Sequence, residues 1–185
     1  KSGPLLVKLH ASLSQAGKAK EASPRLTQWL KDHPADGSTR MYLAETYRAE
    51  QQNKLAIEQY QIILKQTPDF APALNNLAWL YQQEKDPRAL EYAEKAYQLA
   101  ADEPMILDTL GWILVEQGNT ARGLPLLQKA TSLAPEAAEF RYHLAFGLAK
   151  SGDKPKARKE LEQLLATGKS FPNIEEARTL LKQLQ

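Results

Sequence analysis

The chain has 185 residues, 43% apolar and 25% charged, an ordinary globular composition. Its net charge of +2, with no basic stripe interleaved with aromatics, lacks the electrostatic footprint of a nucleic-acid binder. It has no cysteine, so it has no disulfide framework and no thiolate site; no apolar run approaches the roughly 18 residues that a membrane span needs.

From the N-terminus, "PLLVKLHASL" offers Leu5, Leu6, Val7, Leu9 and Leu13, apolar on more than one side of a predicted helix. A second helix carries Trp29 at a core position and Pro24 in its interior, and Pro34 closes it. The next stretch repeats the form: Met41, Leu43, Ala44 and Tyr47 at helical spacing, then Ala56, Tyr60, Ile63 and Leu64, closed by Pro68. Two further stretches begin "APALNNLAWLYQQ" and "PMILDTLGWILVE"; the second also places Pro125 inside its later helix. Turn signals divide the stretches internally: "QQN", "EKDP", "EQGN" and "SGDKP". The tail "PNIEEARTLLKQLQ" is a single amphipathic helix, with Ile174, Ala177, Leu181 and Leu184 on one face and Glu175, Arg178 and Lys182 on the other.

These stretches are copies of one unit. Leu9, Leu43, Leu77, Leu110 and Leu144 recur at spacings of 34, 34, 33 and 34 residues. His10, Ala44, Ala78, Gly111 or Ala145 follows each anchor, and a second small residue comes later: Ala22, Ala56, Ala89, Gly123 or Ala157. Small residues at paired positions predict a close crossing of the two helices. Gly weakens a helix interior by about 1 kcal/mol relative to Ala, so Gly111 and Gly123 mark a tight crossing, not a flexible hinge, unless they are drift from Ala.

The pattern resembles the tetratricopeptide repeat (TPR) family across five units: 3–36, 37–70, 71–103, 104–137 and 138–171. The resemblance implies an all-α fold, a right-handed α-solenoid of TPR helix pairs with residues 172–185 as a C-terminal capping helix. A two-helix unit cannot bury its apolar faces alone, so stacked neighbours supply the core. The N-terminal leucines have no such seal. They lead to the expectation that further repeats precede them in an intact protein, and that Leu5, Leu6, Leu9 and Leu13 drive self-association.

Catalytic signals are poor. His10, His33 and His143 stand alone, with no ligand or catalytic partner at motif spacing. "ATGKS" at 166–170 resembles the end of a phosphate loop, but Gln163 occupies the position that needs glycine. The expectation is a non-catalytic chain with no metal and no cofactor. Its partner is a protein or peptide, not a nucleic acid, and it has no membrane span of its own.

In TPR proteins the first helices line a concave groove that holds peptides. Carried onto this sequence, the groove positions give Tyr42, Arg48, Asn75, Asn76, Trp79, Asp108, Trp112, Tyr142, His143 and Phe146 as partner-binding residues. Trp79, Trp112 and Phe146 stand one repeat apart as an aromatic ridge. Two readings are open for the ridge, an exposed peptide-binding strip or packing between neighbouring first helices. Trp29, on a second helix, reads as structural. One TPR subclass grips a carboxylate with a Lys and an Asn; Asn76 fits, but Asn75 and its equivalents are never basic, which departs from that pattern.

Within the family, "ALNNLAWL", "DPRALEYAEKAYQLA", "LDTLGWILVEQG" and "GDKPKARKELEQLLATGKSFP" resemble the C-terminal repeats of exosortase-associated (PEP-CTERM system) TPR lipoproteins. That likeness implies a protein- or peptide-binding scaffold in a bacterial envelope sorting and exopolysaccharide system. It would be periplasmic or anchored to the outer membrane through an N-terminal lipoprotein signal outside this sequence; a cytoplasmic location is the alternative. The runner-up function is the recruiting or regulatory arm of an enzyme whose catalytic domain lies elsewhere.

Overall fold

The computed structural model describes residues 2–185, without the side chains of residues 19–22. They form eleven helices: α1 (Gly3–Gln15), α2 (Ala19–Asp32), α3 (Gly37–Ala49), α4 (Asn53–Gln66), α5 (Ala71–Gln83), α6 (Ala89–Leu99), α7 (Pro104–Glu116), α8 (Thr120–Leu133), α9 (Ala138–Lys150), α10 (Lys154–Ala166) and α11 (Ile174–Gln183). The described residues contain no strand. The chain divides into two compact units, Lys1–Leu80 and Tyr81–Gln185.

One device ends the odd-numbered helices from α1 to α9. A residue with positive φ follows the helix: Gly17, Gln51, Lys85, Gly118 or Gly152. The amide after it reaches back to the helix, as Gln52 N does to Tyr47 O (2.8 Å) and Asn119 N does to Leu114 O (2.8 Å). This is the Schellman cap, which satisfies carbonyls that the helix end leaves open. At Gln51 and Lys85 a side chain sits in the left-handed region, where it costs about 1–2 kcal/mol that glycine avoids.

In the first unit, Leu26, Leu30 and Leu43 form a buried centre on which Leu6, Val7, Trp29, Tyr42 and Tyr47 pack. Asp36 caps α3 by accepting from Thr39 N at 3.0 Å. Its other oxygen accepts from Thr39 Oγ1 (2.7 Å) and from Trp29 Nε1 (2.8 Å). Burial works to raise the Asp36 carboxyl, but these hydrogen bonds together hold it below the ordinary value. Gly3, at the start of α1, sits so close that a Cβ there would overlap Asp36 and Thr39.

The second unit is built on α7, buried without interruption from Ile106 to Val115. It packs against α8 and α9. A Cβ on Gly123 would lie 2.6 Å from the carbonyl oxygen of Gly111, and one on Gly111 would lie 2.8 Å from Leu127 Cγ. The two glycines therefore touch across the helix pair, as their paired register leads one to expect. Elsewhere in that register Ala44, Ala56, Ala145 and Ala157 are fully buried. The side chain of Ala22 lies outside the described residues. Pro24 and Pro125 both sit inside helices, α2 and α8, which run on through them. α11 packs on α10.

Gly123→Ala should destabilise the fold by about 1–3 kcal/mol, because the added methyl meets backbone that cannot yield. Gly37→Ala is the control: a Cβ there meets nothing within 4 Å. It should be neutral or stabilising by up to about 1 kcal/mol. Urea unfolding of both variants checks the contrast, and equal effects would contradict it.

Candidate protein-binding face

In the second unit the side chains of α7 and α9 meet ring on ring. Trp112 stacks on His143 with centroids 4.2 Å apart and an interplanar angle of 26°. Phe146 lies 5.0 Å from Trp112, and Tyr142 lies 6.1 Å from it. Tyr142 extends the row to Phe171, 6.3 Å away, just before α11. Helical geometry explains the grouping, since Tyr142 and Phe146 are one turn apart on α9 with His143 beside them.

A polar link lies in this cluster. His143 Nδ1 is 2.8 Å from Asp108 Oδ2, and both side chains are almost wholly buried. Asp108 Oδ1 is buried with no hydrogen-bond partner among the described residues. Burial pushes the Asp108 carboxyl up from its ordinary value; the neighbouring imidazole, through its charge and its hydrogen bond, pulls the other way without cancelling it. Burial likewise pushes the Tyr142 hydroxyl up to about 12, helped by the negative charges of Glu176 and Glu116.

Of the two readings of the ridge, this geometry favours packing for Trp112. Trp112 is only 8% exposed. With Asp108, Tyr142 and His143 it is packed between first helices instead of standing free as a peptide strip, because α9 supplies a ring and an imidazole that cover the indole. Trp79 belongs to the first unit and is half-buried there. The side-chain amides are not a free peptide clamp either. Asn75 is buried. Asn76 Nδ2 donates to Tyr60 Oη at 3.2 Å. Tyr42 is half-buried, its hydroxyl 2.9 Å from His10 Nδ1. Arg48 is exposed.

The second unit leaves a narrower surface open. Phe146 is half-buried at the edge of the ring cluster. Lys150 Nζ lies 5.2 Å from its centroid, a cation held over a π face. At the end of α7, Glu116 Oε2 accepts from Gln82 Nε2 at 2.7 Å and stays exposed. An aromatic edge with a cation over its ring can hold an apolar side chain and pair with a negative charge beside it.

The histidines outside this face do structural work. His10 is buried between Tyr42 and Ser23, 3.1 Å from Ser23 Oγ. Burial lowers its basicity, and the charge of Glu50 partly restores it. His33 is exposed and stacks on Trp29 at 3.6 Å. Trp29 itself is half-buried and lines an open groove with Leu5, Leu6 and Leu9, so it is less enclosed than its core position implied.

Tetratricopeptide repeat profiles match residues 12–69, 43–104 and 114–184. A tetratricopeptide repeat-containing protein of Pseudomonas aeruginosa is 30% identical over 129 residues, 68% of this chain; the chain spans 22% of that relative's length. Among solved structures, MamA from Desulfovibrio magneticus RS-1 superposes with a TM-score of 0.73 at 19% identity, over 89% of this chain and 93% of its own. PilW, a widely conserved type IV pilus biogenesis factor, gives 0.77 at 17% identity, over 98% and 90%. Pseudomonas aeruginosa PilF gives 0.72 at 21% identity, over 98% and 88%. These likenesses show the fold, an α-solenoid of TPR helix pairs. The chain belongs to the tetratricopeptide repeat family.

Two outcomes follow from the burial pattern. In single-tryptophan variants, acrylamide should quench Trp112 least, with Trp29 and Trp79 more accessible; Trp112→Ala should cost about 3–5 kcal/mol of stability, as loss of a buried aromatic does. A Trp112 quenched as readily as Trp29 would overturn the packing. The second outcome concerns pH. The raised Asp108 means that the folded state holds the proton more tightly than the unfolded chain. Its contribution to stability is present below the ordinary value of 3.8 and is lost as pH rises through the folded value. Asp108→Asn should therefore gain stability relative to the unaltered chain as pH rises through that window. Thermal melts at a series of pH values test this, and a gap that moves the other way would refute it.

Proposed function

We propose that this chain is a non-catalytic scaffold that binds a protein or peptide on the face formed by its first helices. TPR folds are suited to protein–protein interaction, and the second unit offers a surface already in place. Trp112, His143 and Tyr142 fix the floor, so Phe146 needs no ordering when a ligand arrives, which removes part of the entropic cost of binding. That preformed, half-buried ring, with Lys150 over it, is the observation that carries the reading.

The setting we propose is a bacterial envelope system that sorts proteins alongside exopolysaccharide production. In it the chain would be part of an exosortase-associated TPR lipoprotein, held in the periplasm or at the outer membrane. The repeat wording of residues 73–80, 86–100, 107–118 and 152–172 supports this reading. Self-association through the α1 face that carries Leu5, Leu9 and Leu13 belongs to the same proposal. Leu6 takes part less than the sequence implied, because it also packs on the Leu26–Leu43 centre.

A random peptide library panned against the purified chain tests the binding face. Selected peptides should lose about 2 kcal/mol or more of affinity on Phe146→Ala, as central aromatic anchors do, while urea unfolding changes little. Peptides indifferent to Phe146→Ala and Lys150→Ala would move the site elsewhere. Fractionation of the producing bacterium tests the setting, and recovery from the cytosol alone would reject it.

A further inference from the structure

The groove between α1 and α2 holds about 530 Å³ and is lined by Leu5, Leu6, Leu9 and Trp29, with Arg25 at one end and Asp32 at the other. Leu5 is 61% exposed, the largest exposure among the apolar residues of this face. Register shows that the face is shaped for a helix. The counterparts of Leu5 one and two repeats on, Thr39 and Ala73, are buried, as are Ile63 and Leu164 in the place of Trp29.

Arg25, Trp29 and Asp32 lie on one stripe of α2, at i, i+4 and i+7. The two charges stand about 10 Å apart along the axis. Arg25 is exposed and makes no ion pair among the described residues. Asp32 Oδ1 accepts a hydrogen bond from its own helix neighbour, Gln28 Nε2, at 3.1 Å. An apolar groove with opposite charges at its two ends is complementary to itself turned through 180°.

We propose that the chain forms a two-fold dimer in which this groove meets the same groove of a second copy, with the two α2 helices antiparallel. The two-fold axis passes near Gln28 and Trp29. It sets Arg25 opposite the partner's Asp32, and Asp32 opposite the partner's Arg25. Leu5 and Leu9 of each copy cover the other's indole. An isologous contact of this kind closes at two copies, because the same patch is used on both sides. The proposal rests on the self-association reading above and is independent of the Phe146 face.

Sedimentation velocity over a concentration series tests it, with circular dichroism confirming that each variant is folded. The unaltered chain should pass from monomer to dimer, and Leu5→Glu, at an exposed position, should keep it monomeric. Arg25→Glu and Asp32→Arg each replace two attractive pairs by repulsive ones and should weaken the dimer about tenfold. The combined Arg25→Glu, Asp32→Arg chain should regain the original dimer. An equal mixture of the two single variants should form heterodimers in preference to either homodimer. A monomer at every concentration would overturn self-association and geometry together. A dimer that ignores the charge exchange would overturn the antiparallel geometry alone.

Discussion

The carbonyl oxygen of Gly111 lies where a Cβ on Gly123 would have to go, and this contact sets how closely α7 and α8 approach. The hairpin depends on that approach. Two short helices have little apolar area to share, and dispersion falls steeply with any gap between them. Bringing the backbones together lets Leu127 reach the Gly111 position and lets Val115 reach Gly123. Gly147 continues the arrangement one helix on, where a Cβ would stand 3.2 Å from both Leu124 Cδ1 and Leu127 Cδ1. Three glycines that weaken their own helices thus serve one closely packed three-helix body. The weakening, about 1 kcal/mol each, is set against burial of all of α7 from Ile106 to Val115.

That closeness has a consequence for the ring cluster. Burying α7 so completely carries Asp108 inside, where an unpaired carboxylate is costly. His143 meets one oxygen; the other has no partner among the described residues, and the carboxyl responds by holding its proton more tightly. Buried polar pairs of this kind add little stability over apolar residues of the same shape, while breaking one is expensive. The pair therefore acts on position more than on stability. It ties α7 to α9 at one register and presents the imidazole face to Trp112.

The period of the sequence made the fold legible, and so did the paired small residues, because both record backbone geometry that every hairpin shares. The caps were only partly legible. Glycine marks the left-handed position at 17, 118 and 152, but Gln51 and Lys85 occupy it with no such signal. At the groove positions, exposure was not legible. Glu45, Trp112 and Phe146 share one repeat position, yet they are exposed, buried and half-buried in turn. A repeat position fixes where a side chain points, whereas its depth depends on what the neighbouring element places over it. Trp112 is covered by His143, and the corresponding imidazole over Phe146 does not exist. Trp29 shows the converse: its position is buried in other units, and here it lines an open groove.

The Phe146 edge and the α1–α2 groove differ in what lies beneath them. At the Phe146 edge, everything beneath the ring is already packed, so a ligand meets a fixed shape and any selectivity comes from the Lys150 charge and the ring face. At the α1–α2 groove the floor is a half-buried indole whose nitrogen is committed to Asp36, so the groove is rigid on its inner side and apolar on its outer one. A rigid apolar groove favours a partner that supplies matched apolar area over one that supplies hydrogen bonds. The first surface thus suits a short peptide anchored by one side chain, and the second suits a whole helix pair. The two surfaces lie on different compact units, Phe146 in 81–185 and Trp29 in 1–80, and no residue is shared between them.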